Sequence, residues 1–260
     1  MSVFEGFRFR HVTSSIHKLD PRVKFLFVLA IFIIAVLFTE VLPLLILFFL
    51  PLPFVFAARV QREWVRSLRG AIFLATIIFV FNFVFGYFYQ LQAGAVLLEY
   101  SISMSLRFMV LVESFSIFFL TTSPDHLSLA LEQSHVPYEF TFAFTTAVRF
   151  VPVLAEEAQT IMDAQKARGL ELERGNFLKR IRNYIPILIP LIVSAIRRSL
   201  ELAEAMESRA WGASPKRTNL YTLKMKSGDF VLIVLSILLL TIGLYLRYFV
   251  SIPPLSYFLP

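Results

Sequence analysis

The sequence contains no cysteine and, for its 260 residues, little charge. Without cysteine the chain can form neither a disulfide nor a thiolate metal site, and it has no cysteine nucleophile. Charged residues make up 17% of the chain, whereas a soluble domain usually carries about 25%. Hydrophobic residues reach 57%, and 29 residues are phenylalanine. Because so apolar a chain needs lipid around much of its surface, the composition predicts an integral membrane protein.

Long apolar runs, which soluble proteins rarely have, dominate this sequence. Five of them have a length close to the roughly 20 residues of a membrane-spanning helix. Pro51 and Pro53 are expected to kink or shorten the second. The sequence therefore predicts an all-α membrane protein with about five transmembrane helices. The predicted spans are 23–39, 42–58, 70–90, 100–122 and 229–249.

Lysine and arginine are distributed unequally among the segments between these spans. There are five up to Lys24, four in 59–69 and fourteen in 124–227. No lysine or arginine occurs in the segments 39–42, 86–100 and 250–260. Because cytoplasmic loops carry the excess of lysine and arginine, we expect a cytoplasmic N-terminus and an external C-terminus in the cell (inner) membrane. This topology also accounts for the net charge of +7, so we expect no nucleic-acid partner.

The most polar part of the chain lies between the fourth and fifth spans. Its apolar stretches 140–154 and 185–196 are short for spans, so we expect short helices in the membrane interface. Alternatively both cross the membrane, which would place the basic segment 155–184 outside. We divide the chain into 1–123 (N-terminal segment and four spans), 124–227 (cytoplasmic and interfacial helices) and 228–260 (last span and external tail).

Two polar helices are predicted in this region, at about 154–168 and 190–210, and both end on an arginine between small residues. An arginine at a helix end also complements the helix dipole, and glycine is common just after it. The repetition instead favours two guanidinium groups presented to acidic grooves of a partner, since guanidinium binds carboxylates bidentately. The motifs are Ala167, Arg168 and Gly169, and Ser208, Arg209 and Ala210.

Residues for catalysis or metal binding are scarce. No Walker A phosphate-binding sequence is present, and the four histidines lack the spacing of a zinc site. Arg107 and Glu113 lie inside the fourth span, where charged residues often mark a transport path. Their spacing of six places them on different sides of the helix. A secondary transporter using these two residues is the alternative function, although the repeated halves typical of such carriers are absent.

Several short motifs follow one another along nearly the whole chain. They are His17 to Lys24 (HKLDPRVK), Thr121 to Asp125, Val136–Pro137, Arg149 to Pro152, Glu156–Glu157, Ala167 to Gly169, Glu207 to Trp211 and Arg217–Thr218. In this order they resemble the transmembrane coupling (T) component of energy-coupling factor transporters, which includes the T subunits of cobalt and biotin systems. The second arginine motif departs from the family pattern by having Ala210 in place of glycine, and we expect Gly212 to cap the helix instead.

The resemblance implies a non-catalytic energy-coupling subunit of an ABC importer for a vitamin or a transition metal ion. It implies as partners two ABC ATPases, a substrate-binding membrane S component and the lipid bilayer. No cofactor is expected in this chain, and ATP is expected in the ATPases. Arg168 and Arg209 would dock in the ATPase grooves. The expected contacts with the S component are Leu154, Ala158, Ile161, Ala195, Ser199 and Ala203.

Overall fold

The computed structural model describes residues 14, 16–89, 94–134, 136–171, 176–213, 223 and 225–250, with only the backbone at 177–179. All regular secondary structure in these ranges is helical, which confirms the all-α class. The helices are α1 (Pro21–Leu37), α2 (Val41–Phe49), α3 (Leu52–Ala58), α4 (Gln61–Phe88), α5 (Gly94–Thr121), α6 (Pro124–Gln133), α7 (Tyr138–Ala167), α8 (Phe177–Glu207) and α9 (Ser227–Phe249).

Four helical segments are long and apolar enough to cross a membrane. They are Val41–Ala58, α4, α5 and α9, with mean hydropathies between 1.6 and 2.5. The remaining predicted span, α1, has 17 residues, which is the short limit for a spanning helix. As predicted, the second span is not one continuous helix, because the helix is interrupted at Leu50–Pro51, between α2 and α3.

Helices α1 to α6 and α9 form one compact unit, and α7 and α8 form another. In the first unit, α1 packs against α5 and α9, while α4 pairs with α5. The buried side chains at the centre include Phe27 and Ile31 of α1, Val110 of α5 and Leu232 of α9. Helices α1, α2, α5 and α9 thus share one apolar core, and the outward faces of the spanning helices are exposed and apolar.

Buried polar contacts join the start of α1 to the start of α9 and the end of α5. Asp20 caps α1, and its own N–H donates to Asp229 Oδ1 over 2.8 Å. Asp229 Oδ2 accepts from the N–H of Lys226 over 2.7 Å. The Nζ of Lys24 donates to the carbonyl of Thr121 over 2.8 Å. The HKLDPRVK motif therefore has a structural role as the joint between three helices.

The two charged residues of α5 do not bond to each other, in agreement with their spacing. A guanidinium nitrogen of Arg107 donates to the carbonyl of Phe38, just after α1, over 2.6 Å. There the cation complements the dipole of α1. Glu113 is fully buried, and neither carboxylate oxygen has a hydrogen-bond partner among the described residues. The pair therefore does not form one charged transport site.

In the second unit, helices predicted as separate have merged. The stretches 140–154 and 154–168 form the single helix α7, which passes through Pro152. Likewise 185–196 and all but the last three residues of 190–210 lie within α8, which contains two prolines. The prediction of short separate helices was wrong, because an internal proline removes one hydrogen bond and bends a helix without having to end it.

Candidate functional site

Helices α7 and α8 pack as an antiparallel hairpin. Near their connection, the amide of Gln165 donates to the carbonyl of Pro186 over 3.2 Å. Near the open end, the rings of Phe142 and Trp211 lie with their centroids 4.7 Å apart. Residues later in α8 therefore contact residues earlier in α7, which shows that the two helices are antiparallel.

Glu157 joins the middle of the hairpin. One carboxylate oxygen accepts a hydrogen bond from the hydroxyl of Ser194. The other lies 3.1 Å from the guanidinium of Arg198. Because this ion pair is partly exposed, its contribution to stability is modest, but it links the two helices at a defined position. The structure thus gives a role to the second residue of the Glu156–Glu157 motif.

The end of α7 presents Arg168 just before a left-handed residue. Gly169 has φ +87°, and its N–H donates to the carbonyl of Lys166 over 2.9 Å. The N–H of Leu170 donates to the carbonyl of Gln165 over 3.0 Å. This pair of bonds is the Schellman closure of a helix. The closure fixes the backbone on both sides of the arginine.

The turn after α8 repeats this closure around Arg209. The N–H of Ala210 donates to the carbonyl of Glu207 over 2.9 Å, and that of Trp211 donates to Met206 over 3.0 Å. These positions and distances match those of the first motif. Both arginines are exposed, and neither guanidinium group makes a hydrogen bond or ion pair within the described part of the chain. Their guanidinium groups are available to a partner.

Ala210 itself occupies the left-handed position of the second motif. Its φ is +56°, a conformation that costs an alanine about 1–2 kcal/mol. Gly212 is also left-handed, at φ +89°, but it lies two residues further on. The expectation that Gly212 would replace the missing glycine was therefore wrong. The departure from the family pattern adds strain and leaves the geometry unchanged.

This strain predicts that Ala210→Gly stabilises the protein by about 1 kcal/mol, raising Tm by about 2–4 °C. Thermal unfolding in detergent, followed by circular dichroism, measures the change. Gly169→Ala should lower Tm. Ala164→Gly, at an exposed site within α7, is the control and should also lower Tm. A decrease in Tm for Ala210→Gly would contradict the strain argument.

The two arginines lie at opposite ends of the hairpin. Beside the first, the amide of Asn183 donates to the carbonyl of Glu171 over 2.7 Å. Arg209 lies 26 residues beyond Asn183 along the chain, a helical distance of about 40 Å. The structure therefore does not bring the two motifs together into one site.

The six residues predicted to contact the S component divide between two surfaces. Ser199 and Ala203 are exposed on α8, whereas the other four are half-buried. Leu154, Ala158 and Ile161 lie on the side of α7 that carries Glu157 and Gln165, both of which bond to α8. Ala195 lies on α8 four residues before Ser199, on the same side of that helix. The half-buried residues are Leu154, Ala158, Ile161 and Ala195.

An apolar stripe of α8, which we call the outer stripe, was identified only in part from the sequence, because the predicted helix 190–210 contains Ile192 and Ile196 of this stripe but not its first two residues. Its five large side chains are 46–60% exposed. They share one face with Ser199 and Ala203, opposite Ser194. Helical periodicity over the whole of α8 would have revealed the stripe, but predicting two shorter helices divided it. The outer stripe consists of Ile185, Ile189, Ile192, Ile196 and Leu200.

Comparison with known proteins agrees with this architecture. The family described as "Cobalt transport protein", CbiQ, matches residues 12–220. This chain belongs to the CbiQ family. Among similar proteins is the "Energy-coupling factor transporter transmembrane protein EcfT" of Lactococcus lactis subsp. cremoris. It is 35% identical over 251 residues, covering 90% of this chain and 93% of its own.

Further CbiQ relatives carry the same description. The EcfT of Thermotoga maritima is 33% identical over 259 residues, with 94% of each chain covered. That of Staphylococcus aureus is 32% identical over 262 residues, covering 93% of this chain and 96% of its own. The resemblance in the motifs is thus confirmed: this CbiQ-family chain is the transmembrane (T) component of an energy-coupling factor transporter. A secondary transporter is not favoured.

Proposed function

We propose that this T component binds two ABC ATPases, one at each end of the α7–α8 hairpin, through Arg168 and Arg209. The observation that carries the proposal is the repeated closure, which presents an unpaired guanidinium at each end. Because the ends are about 40 Å apart, one groove cannot receive both arginines. Two ATPases lying side by side could receive one each, and a bidentate bond to a carboxylate would fix each orientation.

In this proposal the ATPases bind and hydrolyse ATP, and the hairpin transmits their movement. When the two ATPases approach or separate, their grooves displace the two ends of the hairpin. The helices respond as levers because their hydrogen-bonded backbones resist bending between the docking ends and the middle. The contact of Glu157 with Ser194 and Arg198 holds the two levers together. The chain itself is non-catalytic and holds no cofactor.

We further propose that the outer stripe of α8 binds the membrane S component. The stripe is apolar and exposed although it belongs to the most polar part of the chain. Exposed apolar patches of this kind mark interaction surfaces. It shares one face of α8 with Ser199 and Ala203, two of the contacts expected from the sequence. Movement of α8 would then pass directly to the S component.

The cargo in this proposal is a vitamin or a transition metal ion that the S component selects. The protein lies in the cell (inner) membrane with a cytoplasmic N-terminus and an external C-terminus. The uneven distribution of lysine and arginine supports this orientation. It also supports a cytoplasmic and interfacial coupling region at 124–227, between the spans of 1–123 and the last span of 228–260.

The double substitution Ile192→Glu with Ile196→Glu is expected to release the S component while both ATPases stay bound. Burying two isoleucines contributes about 1.5–3 kcal/mol each, so the amount of S component per chain should fall more than tenfold. Co-purification with the tagged chain measures it, and the unsubstituted complex should contain two ATPases and one S component.

The control is Val153→Glu with Thr160→Glu, which places two charges on exposed positions of α7. This variant should keep all partners. Retention of the S component by the α8 variant would contradict its assignment to the outer stripe. Loss of the ATPases as well would show that the substitutions disturb the hairpin itself.

A further inference from the structure

The N-terminal turns of α4 carry three arginines that the transporter role does not use. The helix continues without a break from the polar turns 61–69 into its apolar part. Arg62, Arg66 and Arg69 are exposed. None of their guanidinium groups has a hydrogen bond or an ion pair within the ranges that the structure describes. Three cations thus stand unpaired where the helix enters the apolar region.

These arginines share one side of α4, which we call the arginine face. Their spacings of four and three place them within an arc of about 60°. The buried residues of α4, on the side that packs against α5, include Leu68, Ala71, Ala75 and Gly86. That side lies on the opposite half of the helical circumference. The arginine face is therefore directed away from α5.

An exposed apolar stripe continues the arginine face into the apolar part of α4. At spacings of four, four, three and four after Arg69 come Phe73, Ile77, Val80 and Val84, which are 38–70% exposed. Spacings of three and four keep residues on one side of a helix. Phe73 follows Arg69 by about 6 Å along the axis. The same helix side thus combines a cationic end with a long apolar surface.

Gly70 lies at the junction between the cationic and apolar parts. A Cβ added there would meet no other atom of the described structure within 4 Å. Packing within the chain therefore does not require a glycine, although glycine weakens a helix interior relative to alanine. Its effect is to leave the backbone uncovered between the guanidinium groups and the stripe. A bulky polar group could approach closely at this point.

We propose that the arginine face and the stripe below it bind one anionic phospholipid. The arginines bind the phosphate, because guanidinium matches phosphate geometry, and an acyl chain lies along the stripe. Topology explains why basic residues occur on this side of the membrane, but it does not require them to share one face in line with the stripe. An acidic protein segment would match the arginines alone, whereas a phospholipid matches both parts.

The test measures lipid selectivity of the full-length chain in phosphatidylcholine vesicles. Trace spin-labelled phosphatidylglycerol or phosphatidylcholine reports the lipid immobilised at the protein surface. The unsubstituted chain should prefer phosphatidylglycerol. The triple variant Arg62→Gln, Arg66→Gln and Arg69→Gln should lower this preference by about threefold or more, since each basic residue near the surface contributes attraction.

The control variant removes the same number of charges from exposed positions elsewhere and should keep the preference. Its substitutions are Lys18→Gln, Arg182→Gln and Arg197→Gln. An equal loss in both variants would show a general charge effect and overturn the proposal, as would an unchanged preference in the triple variant.

A single substitution and a competition with inorganic phosphate complete the test. If the triple variant fails to insert, Arg66→Gln alone should reduce the preference by roughly twofold, and no reduction would overturn the proposal. Inorganic phosphate at millimolar concentration should not displace the labelled lipid. Displacement of the labelled lipid by phosphate would show that the arginines bind a free anion and would overturn the proposal. Loss of ATPase co-purification with unchanged lipid preference would assign them to a protein contact.

Discussion

Replacing Arg168 and Arg209 together by glutamate is expected to abolish ATPase binding and ATP-driven uptake. Each reversal removes a charge-assisted contact and places a carboxylate opposite the proposed acidic groove. Losing a close charge pair at an interface costs about 2–5 kcal/mol, so two reversals should separate the complex at any working concentration. The measurements are the number of ATPases that co-purify with the tagged chain and the uptake of cargo into cells.

The single variants Arg168→Glu and Arg209→Glu refine this test. Because the two arginines lie at opposite ends of the hairpin, each single charge reversal should weaken the binding of one ATPase and leave the other ATPase bound. Arg182→Glu with Arg197→Glu reverses two other exposed arginines of α8 and should leave the complex intact. Two ATPases bound to the double variant, with normal uptake, would refute the docking proposal.

Asp229→Ala is expected to destabilise the spanning-helix unit by about 3–5 kcal/mol. Asp229 is buried, and its carboxylate accepts from the N–H groups of Asp20 and Lys226. It also attracts the ammonium group of Lys24. Alanine would leave both N–H groups without their acceptor, and it would leave Asp20 as the remaining carboxylate that attracts the buried ammonium group of Lys24. The expected result is a much lower yield in membranes and a lower Tm in detergent.

Asp229→Asn separates the hydrogen bonds from the charge. The amide keeps one acceptor oxygen, so its effect should be smaller than that of alanine. Asp163→Ala is the control, because Asp163 is exposed on α7 and bonds only to Gln159 among the described residues. An Asp229→Ala protein with the yield and Tm of the control would show that the joint does not hold α1 to α9.

Much of the membrane unit could be predicted from the sequence. Spans predicted from apolar length overlap α4, α5 and α9, since the bilayer sets the length of the apolar part of a spanning helix. The polar turns at the start of α4, which begins nine residues before the predicted span, could not be predicted from apolar length. The break at Pro51 could also be predicted, because proline lacks the donor that a helix interior needs. The contacts of Asp229 could not be predicted from the sequence, because its partner Asp20 lies 209 residues away in the chain.

The two arginine motifs could be predicted from the sequence, but their positions relative to each other could not. The sequence by itself determined that the chain is an all-α membrane protein and that both motifs end a polar helix, because composition and helix-ending residues act locally. Only the tertiary structure decided that α7 and α8 run antiparallel, which separates Arg168 from Arg209 and divides the predicted S-component contacts between two surfaces. Helix pairing depends on contacts between distant residues such as Glu157 and Ser194, and local periodicity does not specify those contacts.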